Sequence, residues 1–201
     1  MQHRCLLAMM VMLAVSGCDR YQEGMNLLHQ GKYQEAQDYF EKQATKRPND
    51  PRVHLELGFA YSQLEHGFDA AREYQTALQL KPDYFEAELN LGTAFMKMGQ
   101  EEPAEAHLKR ALVLNPKSET AHANLAVLYF NEMRFSEAKP EALAAKDLSG
   151  GRRDYKGLLD KIDNQVKYYE DFWEREKKIQ AELEAKRRAF KAETQKGATA
   201  Q

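Results

Sequence analysis

Histidine and cysteine are the residues of this chain that could support metal binding or catalysis. Apart from His3, the histidines stand at positions 29, 54, 66, 107 and 122. Zinc sites commonly use two histidines about three to five residues apart, and no two histidines here have that spacing. The chain also has no glycine-rich phosphate loop and no nucleophile elbow. We therefore expect no metal site, no small-molecule substrate and no enzymatic activity.

The two cysteines, Cys5 and Cys18, both lie near the amino terminus. An apolar run over residues 6–15 follows Arg4; it is too short to span a bilayer and has the shape of a secretory signal. The run ends in Val15-Ser16-Gly17-Cys18, which resembles the bacterial lipobox. The resemblance implies that residues 1–17 are a lipoprotein signal peptide and that Cys18 carries diacylglycerol and an amide-linked acyl chain. No other cofactor is expected.

Asp19, the residue after Cys18, gives an indication of the membrane in which the protein would reside. In enteric bacteria, an aspartate such as Asp19 resembles the signal that keeps lipoproteins in the inner membrane. The resemblance implies a protein of the bacterial cell envelope, anchored by lipid on the periplasmic face, with the inner membrane favoured. Lys and Arg number 29 against 31 Asp and Glu, so the charge gives no reason to expect a nucleic-acid partner.

Small residues and prolines recur at an offset of 34 residues without an insertion. The recurring columns are Gly24, Gly58 and Gly92; Ala36, Ala70 and Ala104; and Pro48, Pro82 and Pro116. Small side chains allow two helices to cross closely, and proline ends a helix. The pattern resembles the tetratricopeptide repeat (TPR), a helix-turn-helix unit of that period. Within each unit, the turns are predicted at Gly31-Lys32-Tyr33, His66-Gly67-Phe68 and Gly99-Gln100.

The resemblance implies an all-α, right-handed superhelical solenoid over residues 18–152. Its units are 17–50, 51–84, 85–118 and a degenerate fourth unit at 119–152, where Ala126 stands in the glycine column. Pro140 predicts that the second helix of this unit starts late or is kinked. Gly150-Gly151 predicts the end of that helix. His54 and His122 share one repeat column, which favours a structural role over ligation.

A long helix is predicted over residues 153–193, followed by a disordered tail at 194–201. Apolar residues from Leu158 to Trp173 recur at spacings of three and four, so we expect this stretch, Trp173 included, to cap the last hairpin. Beyond Trp173 the sequence is mostly charged, with a thin apolar stripe at Ile179, Leu183 and Phe190. This end should project, either as a docking rod or as a solvated extension without a ligand.

In the TPR family, the first helices of successive units line a concave groove that binds a protein or peptide. Carrying over the groove positions gives a candidate partner-binding surface, whose apolar members could instead be packing between helices. The candidate residues are Tyr21, Met25, Leu28, Leu55, Glu56, Phe59, Asn90, Thr93, Met96, Lys97, Asn124, Val127, Phe130 and Asn131. Leu55, Leu89 and Ala123 replace one of the lysines of the carboxylate clamp found in chaperone adaptors, so recognition of a carboxy terminus by that route is not expected.

These features predict a lipid-anchored, protein-binding scaffold or assembly factor of the cell envelope. Two alternatives stay open. One is an envelope structural protein that associates with itself through Leu55, Phe59 and the projecting helix. The other is a factor that resembles the pilotins, which help to assemble pilus or secretion pores.

Overall fold

The computed structural model describes residues 21–198, with side chains as far as Arg188, and this part is all α-helical. Residues 21–29 are helical and are called α1. The helices that follow are α2 (Tyr33–Lys46), α3 (Pro51–Gln63), α4 (Gly67–Leu80), α5 (Phe85–Lys97), α6 (Glu101–Leu114), α7 (Glu119–Asn131), α8 (Phe135–Ser149) and α9 (Lys156–Ala198). The predicted signal peptide, Cys18 and Asp19 lie outside the described residues.

The helices stack as consecutive hairpins. The two helices of each hairpin pack together, as in α3 with α4, α5 with α6 and α7 with α8, and each hairpin also packs against the next. Three clusters of buried apolar residues run along the stack, and the last includes Ile162 of α9. The predicted all-α solenoid of helical hairpins is confirmed.

The glycine column lies where the two helices of a hairpin cross. A Cβ atom built on Gly58 would lie 2.7 Å from the ring of Tyr74, and one on Gly92 would lie 2.8 Å from Cγ of Leu108. In the first hairpin, a Cβ atom built on Gly24 would lie 2.5 Å from Cζ of Phe40. Tyr74 and Leu108 are fully buried, so their side chains have no room to withdraw. The close crossing predicted from the glycines is therefore present.

The fourth hairpin makes the same crossing with different residues. Ala126 replaces the glycine, and Ala142 stands where Tyr74 and Leu108 stand in the earlier units. Both alanines are fully buried in one cluster. Helix α8 begins at Phe135 and passes through Pro140, so of the two predicted alternatives, a late start or a kink, the late start is wrong. It ends at Ser149 with Gly150 in the left-handed conformation, as predicted.

Prolines and capping side chains set the helix boundaries between units. Each of α2, α4 and α6 ends two residues before its proline, because a residue that precedes proline disfavours the helical conformation. Asp50 caps α3 by accepting a hydrogen bond from the Arg52 amide at 3.1 Å. Ser118 caps α7 in the same way, from the Ala121 amide at 3.2 Å.

One left-handed residue makes the turn inside each hairpin. It is Gly31 in the first and Gly99 in the third, with φ of 72° and 68°. The second and fourth hairpins place Glu65 and Met133 there, with φ of 62° and 60°. The turn predicted around Gly67 therefore falls two residues earlier. Gly67 is instead the first residue of α4, packed against Met98.

Helix α9 caps the stack with only its first part. Ile162 is fully buried, and Leu158, Leu159 and Val166 pack against the last core cluster. Tyr169 is the last aromatic residue of α9 that packs against the stack. Its ring centroid lies 5.9 Å from that of Phe135.

Trp173 is 58% exposed, so the prediction that it docks in the cap is wrong. Phe135 is the first residue of α8 and lies beside the hairpin turn, so α9 has passed the edge of the stack beyond Tyr169. The helix then continues to Ala198 rather than ending at residue 193, so residues 194–198, predicted to be disordered, are helical.

Candidate binding groove

The first helices of successive hairpins lie side by side, as a groove requires. Contacts join α3 to α5 and α5 to α7. Between α1 and α3, the Tyr21 hydroxyl donates a hydrogen bond to Glu56 Oε1 at 2.8 Å. Between α5 and α7, the Asn124 amide donates to Thr93 Oγ1 at 2.8 Å. We call the surface formed by the candidate residues on these four helices the groove face.

Polar side chains run in one row along the groove face. Glu56, Asn90 and Asn124 stand 34 residues apart, at the same place in the second, third and fourth units. All three are half-buried. The Asn90 amide forms no side-chain hydrogen bond within the described residues. A partner chain crossing the face would therefore meet an acceptor at Glu56 and an amide, both donor and acceptor, at Asn90 and Asn124.

Glu56 is the titratable member of this row, and it is partly desolvated. Burial raises the pKa of Glu56, and the nearby Glu86 carboxylate raises it further, whereas the Tyr21 hydrogen bond and His29 lower it. Burial also raises the pKa of Tyr21, which faces Glu56. The Arg52 guanidinium lies over the Tyr21 ring, 5.3 Å from its centroid. This end of the face thus combines a partly desolvated carboxylate with an aromatic ring.

The apolar candidates differ in how much surface they offer. Leu28 and Leu55 are each 6% exposed and belong to the core, so they are packing residues and a partner would meet little of either. Tyr21, Met25 and Phe59 are half-buried against the first cluster, and Met96 and Phe130 against the last. Val127 is exposed, as are the polar side chains of Lys97 and Asn131. The groove face is consequently mixed, with shallow apolar patches between polar residues.

The histidines form a repeated contact that the sequence reasoning missed. Nδ1 of His54 lies 2.8 Å from Glu73 Oε2, and Nδ1 of His122 lies 2.6 Å from Glu141 Oε2. Their Nε2 atoms donate to the carbonyl oxygens of Pro48 and Pro116, at 2.9 and 3.2 Å. The predicted structural role of these two histidines is confirmed, because each ties the two helices of its hairpin to the preceding proline loop.

The third unit holds the same pair with the partners exchanged. Glu88 stands on the first helix and His107 on the second, with 2.7 Å between the carboxylate and Nδ1. Partners in all three pairs are 19 residues apart. That spacing, repeated at the unit length, was the signal available in the sequence.

Metal binding and membrane crossing can each be judged from the described residues. No group of three or more histidine, cysteine, aspartate or glutamate side chains is arranged to hold a metal ion in this part of the chain. In the same residues, no helix is both long enough and apolar enough to cross a bilayer.

Comparison with known proteins identifies the repeats. Family models described as "TPR repeat" and "Tetratricopeptide repeat" match residues 69–99 and 89–152. Over 114 residues, the chain is 36% identical to the human protein O-mannosyl-transferase TMTC1, a match that covers 55% of this chain. The match spans only 13% of that relative's length.

Solved structures share the fold. The structure of MamA from residue 41 to the end, from Desulfovibrio magneticus RS-1, superposes with a TM-score of 0.65 at 21% identity, covering 79% of this chain and 93% of that one. The first TPR of Spaghetti (RPAP3) bound to the HSP90 peptide SRMEEVD gives a TM-score of 0.56 at 25% identity, covering 58% and 92%. This chain therefore carries tetratricopeptide repeats in a TPR-like solenoid, an architecture that generally serves as a non-catalytic scaffold for protein or peptide partners.

Proposed function

We propose that this protein is a lipid-anchored scaffold of the bacterial cell envelope that binds a protein or peptide partner on its groove face. The observation that carries the proposal is the row of Glu56, Asn90 and Asn124 on helices that pack side by side. Repeated donors and acceptors at a fixed spacing suit a chain that binds across several units. The related Spaghetti domain, whose structure holds a peptide, supports the same kind of partner.

The groove face also suggests the chemistry of the partner. Glu56 is a partly desolvated carboxylate that would be stabilised by a basic group or by hydrogen-bond donors. Met96 and Phe130, partly exposed on the same helices as Asn90 and Asn124, suit a partner's apolar side chain. We expect a peptide segment that presents a basic residue to the second unit and an apolar residue to the third and fourth.

Site-specific photo-crosslinking in native membranes tests this proposal. A photoreactive residue at Asn90 or Met96 should capture one partner, identified by mass spectrometry. The matched control is Val113, which is 68% exposed on α6 and lies outside the groove face. Glu56→Gln should reduce capture at Asn90, because the carboxylate attracts the basic group. Equal capture from Val113 and Asn90 would place the partner elsewhere and contradict the proposal.

The anchor is a separate part of the proposal and rests on the sequence of residues 1–19. If Cys18 is acylated, radiolabelled palmitate should be incorporated into the chain and Cys18→Ser should abolish the label. Cys5→Ser is the matched control, because Cys5 lies in the segment that is removed. Fractionation of inner and outer membranes then tests the location expected from Asp19. Label that persists in Cys18→Ser would refute the anchor without affecting the groove.

A further inference from the structure

The second half of α9 has no neighbour within the described residues. Docking ends at Tyr169, and residues 170–198 continue as helix, which at the usual rise makes a rod roughly 43 Å long. The rod is not uniformly polar. Phe172 is 46% exposed, Ile179 is 50% exposed and Leu183 is 44% exposed. A helix surrounded only by water does not require large apolar side chains at regular spacing along one face.

The spacing along this rod is that of a coiled coil. Phe172, Glu176, Ile179, Leu183 and Lys186 are separated by alternating steps of four and three residues. This alternation places all five on one stripe, which drifts little around the helix and suits a second helix lying alongside. The segment 170–192 is about three heptads long, the usual minimum for a stable pair.

Charge is distributed unevenly along the same segment. Residues 170–176 contain four acidic side chains and one basic one, whereas residues 186–191 contain four basic side chains and no acidic one. Two parallel copies would bring acid against acid and base against base. Two antiparallel copies would bring the acidic end of each against the basic end of the other.

We propose that the projecting part of α9 pairs with the same segment of a second copy, as an antiparallel two-stranded coiled coil centred on Ala181. In this register Ile179 of each copy lies opposite Leu183 of the other, so the apolar residues meet. Glu176 lies opposite Lys186, an ion pair at core positions that fixes both orientation and register.

The length of the free segment agrees with this register. The residue opposite Tyr169 is residue 193 of the other copy, so pairing ends where docking on the solenoid begins. The two solenoids then stand at opposite ends of the rod and leave both groove faces open. The pairing does not rest on the proposed function. It keeps the projecting helix of the self-association alternative but not Leu55 and Phe59, and Leu55 is buried in the core.

Charge reversal in the ion pair between Glu176 and Lys186 tests both the pairing and its direction. The full chain in detergent should be a dimer by sedimentation equilibrium. Glu176→Lys alone would set lysine against lysine twice in each dimer, and Lys186→Glu alone would set glutamate against glutamate. Each change should raise the dissociation constant at least roughly tenfold. Both positions lie outside the docked part of α9, so circular dichroism should be unchanged.

Mixing gives the sharper result. Glu176→Lys chains and Lys186→Glu chains should each associate weakly alone. When mixed, they should form a heterodimer at parental affinity, because residue 176 of each chain and residue 186 of the other again carry opposite charges. The double variant Glu176→Lys, Lys186→Glu should also dimerise. Lys177→Glu is the matched control, because residue 177 lies off the stripe and should leave the dimer intact. A monomeric parental chain would overturn the pairing. Single variants that dimerise unchanged would overturn the antiparallel direction, because parallel copies set like charges together with or without either change. Mixed variants that fail to associate would overturn the register that sets residue 176 against residue 186.

Discussion

The second and fourth hairpins build the same helix crossing from different residues. In the second, Gly58 lies beneath the ring of Tyr74, with no side chain on one helix and a large one on the other. In the fourth, Ala126 and Ala142 occupy the two places, and each contributes one methyl group. Both crossings are buried, and both hairpins keep their helices in contact.

The difference shows that the repeat preserves a pair of residues and not two independent positions. A glycine requires a large partner to fill the space it leaves, whereas an alanine requires a small one. The fourth unit looks degenerate when each column is considered alone, because both columns depart from the pattern. It is regular when the two columns are considered together, since one methyl group on each helix takes the place of a large side chain packed on a glycine.

Removing the large member of the pair should have the greatest effect. Tyr74→Ala leaves a cavity beside Gly58 and should lower the free energy of unfolding by about 3–5 kcal/mol, measured by urea denaturation. Gly58→Ala in the parental chain should cost about 1–3 kcal/mol, because the added methyl meets the buried ring.

Combining the two changes sharpens this prediction. In the Tyr74→Ala background, Gly58→Ala should cost at least about 1 kcal/mol less than in the parental chain, because the contact with the ring is gone and only that with the Ala70 carbonyl oxygen, at 3.2 Å, remains. The size of the glycine effect therefore depends on Tyr74. An equal cost in both backgrounds would show that the two positions do not act as a pair.

The reverse experiment applies to the fourth hairpin. Ala142→Leu should cost about 1–3 kcal/mol by overpacking against Ala126. Adding Ala126→Gly should recover most of that loss, because it recreates the arrangement of Gly92 and Leu108. Thermal unfolding of the single and double variants measures the recovery. If Ala126→Gly adds to the damage instead, the fourth crossing has a different geometry.

The solenoid could be predicted from the sequence because its determinants are local and periodic. Glycine, alanine and proline columns fix the crossings and the helix ends, and Pro48, Pro82 and Pro116 end their helices where expected. The extent of the cap could not be predicted. Apolar spacing identifies the face of α9 that packs, but docking stops at the edge of the stack, whose position depends on the tertiary arrangement.

The groove face was only partly predictable for a similar reason. Repeat positions place Tyr21, Glu56 and Asn124 on the first helices of their units, but a repeat position does not reveal how deeply a side chain is buried between the helices. Leu28 and Leu55 proved to be core residues, whereas Val127 is exposed. The pairing of Glu56 with Tyr21 joins residues 35 apart, one more than the unit length, so counting columns would miss it.

The exchanged histidine pair gives a smaller test within the second hairpin. His54→Ala removes the short contact to the partly buried Glu73, leaves it only the longer one to Arg72 at 3.4 Å, and should cost about 1–2 kcal/mol. The exchange His54→Glu with Glu73→His should recover much of this, because the third hairpin already uses Glu88 and His107 in that order. Chemical denaturation of the three variants measures the recovery. No recovery would mean that the Pro48 carbonyl contact, and not the carboxylate, dominates.

The smallest expected effect lies in the turns. Glu65 adopts a left-handed conformation in which glycine is less strained, so Glu65→Gly should stabilise the chain by about 0.5 kcal/mol. Gly99→Ala, at the equivalent place in the third hairpin, is the control and should destabilise by about 1 kcal/mol. Differential scanning calorimetry can resolve both. A loss in Glu65→Gly would indicate that the glutamate side chain contributes more than the turn strain.

The paired crossing sets the places at which this molecule could be recombined with itself. A chimera joining α3 to α8 would set Gly58 against Ala142 and leave a void, whereas one joining α7 to α4 would force Ala126 into Tyr74. Exchanging whole hairpins keeps each pair together. Duplication, deletion or transplantation of units should therefore succeed when the junction lies in the loop after a second helix, and fail when it lies in a turn and joins a helix of the fourth hairpin to one of an earlier hairpin.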